Sequence, residues 1–207
     1  MKIYLDLDGF LADLFSAISL KLYNKQYKDI TPEEKAEAKK IWYDRAHFVK
    51  HFGDVEEFFA TLPTFGKNGE LTKAIIDTVV KEFGGYNICS HPAGIDPKAS
   101  EAGKRIWIHK HLNPLPDEMY FPQSKATYAV NKDGTPNVLI DDFPPYIRAW
   151  RDAGGIAIEM RTDSFNSPEQ VKAILTKELN AAKSHTNKPV KESFNDYVNR
   201  ILSEFIA

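Results

Sequence analysis

The chain has 207 residues, 43% of them hydrophobic, which is material for one domain of ordinary size with a small accessory lobe. Its 27 basic residues against 29 acidic ones exclude the basic stripe that duplex nucleic acid requires, and leave room for a small anion gripped by local cations. One cysteine, Cys89, excludes a disulfide framework, and no apolar run approaches the roughly 20 residues of a membrane span. With no basic-then-apolar leader at the start, these features predict a soluble cytoplasmic protein.

Ile3-Tyr4-Leu5 predicts a buried strand almost at the N-terminus. Asp6 and Asp8 stand at its end, followed by Gly9. Two like charges crowded there are costly unless a cation or a shared proton relieves them. Alone, Asp-x-Asp-Gly fits a solvated acidic turn equally well. From Leu11 to Tyr23 the apolar spacing predicts an amphipathic helix. Thr31-Pro32-Glu33-Glu34 starts another, whose pattern runs on through Trp42 to Val49. Val55 to Leu62 predicts a short helix stopped by Pro63. The aromatic load of this stretch is heavy, and most of it is expected to be packing within the lobe.

Beyond residue 68 the pattern alternates. Helices are predicted over Gly69–Phe83, Pro97–His111, Pro144–Ala153 and Ser167–Ala182, and strands over Tyr86–Ser90, Met119–Phe121 and Gly155–Met160. Ala126–Val130 and Asn137–Ile140 read either as a hairpin or as two separate strands. The alternation implies an α/β fold with a parallel sheet flanked by helices on both faces. Residues 184–207 carry an apolar stripe that predicts a terminal helix, docked on its own domain or serving a homodimer.

Four pieces in order form a set: the acidic pair Asp6 and Asp8, the hydroxyl of Ser90, the isolated Lys125, and the acidic pair Asp141 and Asp142. The set resembles the four motifs of the haloacid dehalogenase (HAD) superfamily of phosphohydrolases. Asp-Leu-Asp-Gly-Phe-Leu-Ala-Asp and Leu-Ile-Asp-Asp-Phe-Pro-Pro resemble the signatures of the 5'(3')-deoxyribonucleotidase family, and the likeness covers roughly residues 2–160. The resemblance implies a HAD-like, Rossmann-type core at 1–13 and 67–183, a small helical cap at 14–66 inserted after the first strand, and a C-terminal helix at 184–207.

It also implies roles. Asp6 attacks phosphorus, and Asp8 serves as acid and then base. Ser90 and His91 sit at the phosphate, and Lys125 neutralises the transition state. Magnesium is held by Asp6, the Asp8 carbonyl and the second acidic pair, whose order the resemblance leaves open. Asp142, one residue beyond the apolar strand, is favoured as the direct ligand, with Asp141 behind or through water. Ile41-Trp42 resembles the cap's Phe-Trp pair, which makes Trp42 the candidate base-stacking residue. Leu14 occupies a base-contacting position where the family carries Phe. The implied activity is magnesium-dependent release of phosphate from (deoxy)nucleoside monophosphates. The alternatives are a HAD phosphatase for another small phosphorylated metabolite and a non-catalytic HAD-fold binding protein.

Overall fold

In the computed structural model the strand Ile3–Leu5 (β1) has a parallel neighbour on each side, so its backbone groups are paired in both directions. The structure describes residues 1–184, so the expected helix over 184–207 falls almost wholly outside the described residues. Asn87–Cys89 (β2) and Glu118–Tyr120 (β3) extend the sheet on one side. Val138–Asp141 (β4) and Ile156–Glu159 (β5) extend it on the other. The order is β3-β2-β1-β4-β5 and every pairing is parallel. β1, β2 and β4 are buried along their whole length, as uninterrupted apolar runs require when helices cover both faces.

The chain runs outward from β1 through β2 to β3, then returns to β4 and goes on to β5. The reversal falls between β1 and β4. In open α/β sheets the connections there leave in opposite directions, opening a crevice beyond the carboxyl ends of the strands. Asp6 follows β1 and Asp141–Asp142 close β4, so the acidic pairs meet at that crevice.

Five α-helices separate β1 from β2, and the first four form the insertion: Leu14–Tyr23 (α1), Pro32–Tyr43 (α2), Arg45–Phe52 (α3) and Val55–Ala60 (α4). α1 begins three residues later than its periodicity predicts, because Leu11 and Ala12 both donate their N–H groups to the Leu7 carbonyl in a tight turn and Asp13 caps the helix. The capping box of Thr31 and Glu34 opens α2 as read. The helix predicted to run on to Val49 breaks at Asp44, whose carboxylate accepts from His47 N–H and starts α3. Phe48, Phe58 and Phe59 belong to the same continuous apolar cluster as Ile3, Leu5 and Ile140, so the inserted helices share one core with the sheet.

Glu70–Phe83 (α5) and Pro168–Lys183 (α8) pack together, and Pro97–His111 (α6) packs on α4. Pro144–Asp152 (α7) follows β4 directly. The strand read over Ala126–Val130 does not form. Lys125–Tyr128 is a 3-10 turn, and only Val130 and Pro136 make an antiparallel bridge. The turn exists because Lys125 is drawn inward into ion pairs, which an extended strand could not allow. Among the described residues no helix is long and apolar enough to cross a membrane.

Candidate functional site

The loop after β1 is held from several sides. Asp6 N–H donates to the Ile140 carbonyl, continuing the ladder between β1 and β4. The Thr72 hydroxyl donates to Leu11 O at 2.9 Å, and the Thr162 hydroxyl to Phe10 O at 2.6 Å. Gly9 lies at φ 81°, and a Cβ there would come within 2.6 Å of Asp142 Oδ2 and 2.8 Å of the Phe15 ring. Glycine is therefore needed twice, for its left-handed backbone and for the close approach of the second acidic pair.

Two buried lysines face the carboxylates. Lys125 Nζ lies 2.7 Å from Asp6 Oδ1 and 2.6 Å from Asp141 Oδ2. Lys104 Nζ lies 2.7 Å from Asp8 Oδ2 and donates to Ser90 Oγ at 3.1 Å and to the His91 carbonyl. Each member of the first acidic pair thus has its own cation. Burial alone would lower the Lys125 pKa, but Asp6 and Asp141 outweigh it and hold the ammonium charged far above its ordinary range. Burial raises the Asp8 carboxyl, an effect that Lys104 opposes and Asp6 reinforces.

Asp141 is fully committed: Oδ2 meets Lys125, and Oδ1 accepts from Phe143 N–H at 2.9 Å. Asp142 has no such engagement, and its carboxyl is pushed up to about 8, first by burial and then by Asp6 and Asp141. Asp6, Asp141 and Asp142 each offer an oxygen within 4.8 Å of the others, a grouping able to hold a metal ion. Asp8 Oδ1 is buried without a hydrogen-bond donor, and Asp6 Oδ1 has only the Lys125 ammonium. An acceptor left so is expensive, and a donor or cation brought by the substrate or a metal would satisfy it. An all-oxygen donor set suits a hard cation of the magnesium or calcium kind.

The structure brings Asp6, Asp8, Ser90, the His91 backbone, Lys125, Asp141 and Asp142 to one end of the sheet. Ser90 is 1% exposed and its N–H bonds Tyr120 O, so its hydroxyl is held beside Lys104. Lys104 meets only the carbonyl of His91, and the His91 ring faces Tyr146, with centroids 6.1 Å apart at 18°. Leu14 is buried in the main core. Trp42 is half-buried, with Phe48, Phe58 and Phe59 edge-on around it at 5.5, 6.2 and 5.9 Å.

Lys104 is the residue that sequence reasoning missed. A signal existed: on α6 it shares a face with Ser100, Trp107 and Ile108, all buried, and a lone lysine on an apolar helix face demands a buried partner. The 0% exposure of Lys104 shows how completely it was withdrawn from water.

No family model and no curated protein matches the chain. Among solved structures it is similar to a hydrolase from Streptococcus pneumoniae TIGR4, at 14% identity over 84% of this chain and 97% of that one, with a TM-score of 0.41. A likeness of that degree adds nothing to the chemistry read from the side chains.

Proposed function

We propose that the chain is a magnesium-dependent phosphatase that removes phosphate from (deoxy)nucleoside monophosphates through an aspartyl-phosphate on Asp6. The observation that carries this reading is the division of labour between the buried lysines, Lys125 on Asp6 and Lys104 on Asp8, with Asp142 left uncommitted. The likeness of the four motifs to HAD phosphohydrolases supports it from the sequence side.

Asp6 and Asp142 would hold the cation with the backbone carbonyl of Asp8, and Asp141 would orient Lys125. When bound, the cation offsets the repulsion between the attacking carboxylate and the phosphate dianion. A carboxylate oxygen of Asp6 attacks phosphorus and the bond to the leaving oxygen breaks, while Asp8 gives that oxygen its proton. Asp8 then takes a proton from water, which attacks phosphorus and releases Asp6 and inorganic phosphate. An acid that must arrive protonated gains from the burial that raises Asp8. Lys125 and Ser90 supply donors fixed in advance around the equatorial oxygens, where charge accumulates, and Lys104 holds Asp8 and Ser90 in place.

The test is phosphate release from a panel of nucleoside monophosphates and sugar phosphates. Activity should appear with magnesium, vanish with a chelator, and fall below a few per cent in a folded Asp6→Asn. Asp142→Asn should raise the magnesium needed for half-maximal rate far more than Asp141→Asn does. No release from any member of the panel, or rescue by zinc and not by magnesium, refutes the reading.

A further inference from the structure

We propose that Phe143 and Tyr146 form a shelf at the mouth of the site on which the planar aromatic part of the substrate's leaving group lies. The inference rests on the phosphatase reading and names what that site recognises beyond the phosphate.

Phe143 follows the second acidic pair directly and is 49% exposed. A single surface phenylalanine is ordinary. This one is held in place, because its own N–H is bound by Asp141 Oδ1, and Pro144 and Pro145 stiffen the chain after it. It is not solitary either. Its ring meets Tyr146 at 5.1 Å and 69°, an edge-to-face pair, and Tyr146 in turn lies near parallel to His91.

Lys125 Nζ sits 4.5 Å from the centroid of the Tyr146 ring, so the shelf begins where the phosphate cations end. An aromatic surface continuous with a cationic one matches a phosphate monoester whose other half is a flat ring. Tyr43, 72% exposed at the end of α2, is near enough to Tyr146 for its hydroxyl to raise the Tyr146 pKa, after burial and the site charges. Trp42, the sequence's choice for this contact, has three phenylalanine edges packed around it, so its truncation should also lower the melting temperature.

The experiment compares kcat and KM for deoxythymidine monophosphate and for 2-deoxyribose 5-phosphate, which lacks the base. A base stacked on an aromatic ring carries about a 5- to 150-fold effect in binding. Phe143→Ala should lower the nucleotide-to-sugar-phosphate ratio of kcat/KM by about 5-fold or more, mainly through KM, and Phe143→Leu by less. Tyr146→Leu should lower the same ratio. Deoxythymidine binding, followed by NMR, reads the shelf without turnover and should weaken about 5-fold in Phe143→Ala.

An unchanged ratio in both Phe143 variants overturns the shelf, as does a ratio that falls only in Trp42→Ala. So does absence of nucleoside binding to the wild type. Nucleoside binding that depends on Phe143, without phosphate release from any substrate, leaves the shelf standing and overturns the phosphatase reading instead.

Discussion

Lys104 acts at the scale of one atom. Its Nζ is surrounded by Asp8 Oδ2, Ser90 Oγ and the His91 carbonyl, and the Phe59 ring lies 5.2 Å away. Nothing else among these neighbours can neutralise Asp8. Lys104→Met keeps much of the volume and removes the charge, which leaves a buried carboxylate without its cation. Asp8 and Ser90 lose the group that positions them, and a loss of about 10²- to 10³-fold in kcat, the scale of one lost electrostatic contact, is expected here. A folded Lys104→Met within about 10-fold of wild-type kcat would assign the lysine to packing. Arginine should not rescue, because a pocket with no exposed surface has no room for a planar fork.

At the scale of elements, the site depends on how closely α4 approaches α6. A Cβ on Gly103 would lie 2.2 Å from the Glu56 carbonyl and 2.8 Å from Phe59 Cβ. Glycine there lets the two helices touch, and the next residue is Lys104. Gly103→Ala must push α4 and α6 apart, an overpacking that costs about 1–3 kcal/mol and several degrees of melting temperature. Because α6 carries Lys104, kcat should fall as well. Gly94→Ala is the control: nothing lies within 4 Å of its Cβ, so its melting temperature should stay close to wild type. Equal melting temperatures for the two variants would show that the helices have slack.

The difference between what was legible and what was not follows from the kind of signal each element carries. β1, β2 and β4 could be read because strands buried on both faces are short, largely apolar runs, ending in charge at β1 and β4 and in the Ser90 hydroxyl at β2. The carboxylates at the ends of β1 and β4 could be read because such charges need compensation. The break at Asp44 could not, since the apolar spacing continues across it and a side-chain cap decides it. The turn at Lys125 was hidden for a related reason. Its shape is dictated by Asp6 and Asp141, which are remote in sequence. Lys104 was hidden by composition, because one lysine in a helix with His109, Lys110 and His111 looks solvated until the helix is placed.

For the molecule as a whole, the sheet stores its most sensitive reporter in the middle. Cys89 ends β2 with no exposed surface, in a second apolar cluster with Tyr4, Leu139, Ala129 and Trp150. Burial pushes its thiol up to about 12, so the folded protein keeps it protonated across ordinary pH. The unfolded chain loses that proton near the ordinary thiol pKa of about 8.5. Between those limits the native state binds more protons than the unfolded one, so stability falls as pH rises, by at most about 1.4 kcal/mol per pH unit for this group. The contribution is complete below about 8.5 and is lost progressively on the way to about 12. Denaturant unfolding at pH 8 and at pH 10.5 should show the wild type losing more stability than Cys89→Ala. The excess should be at most about 2.7 kcal/mol, and the difference between the variants cancels the tyrosines common to both. Thiol labelling at pH 8 should likewise wait for global unfolding, because the thiol lies within a strand paired on both sides. Parallel loss of stability in the two proteins, or rapid labelling of the native one, would place Cys89 in water and contradict the core drawn around it.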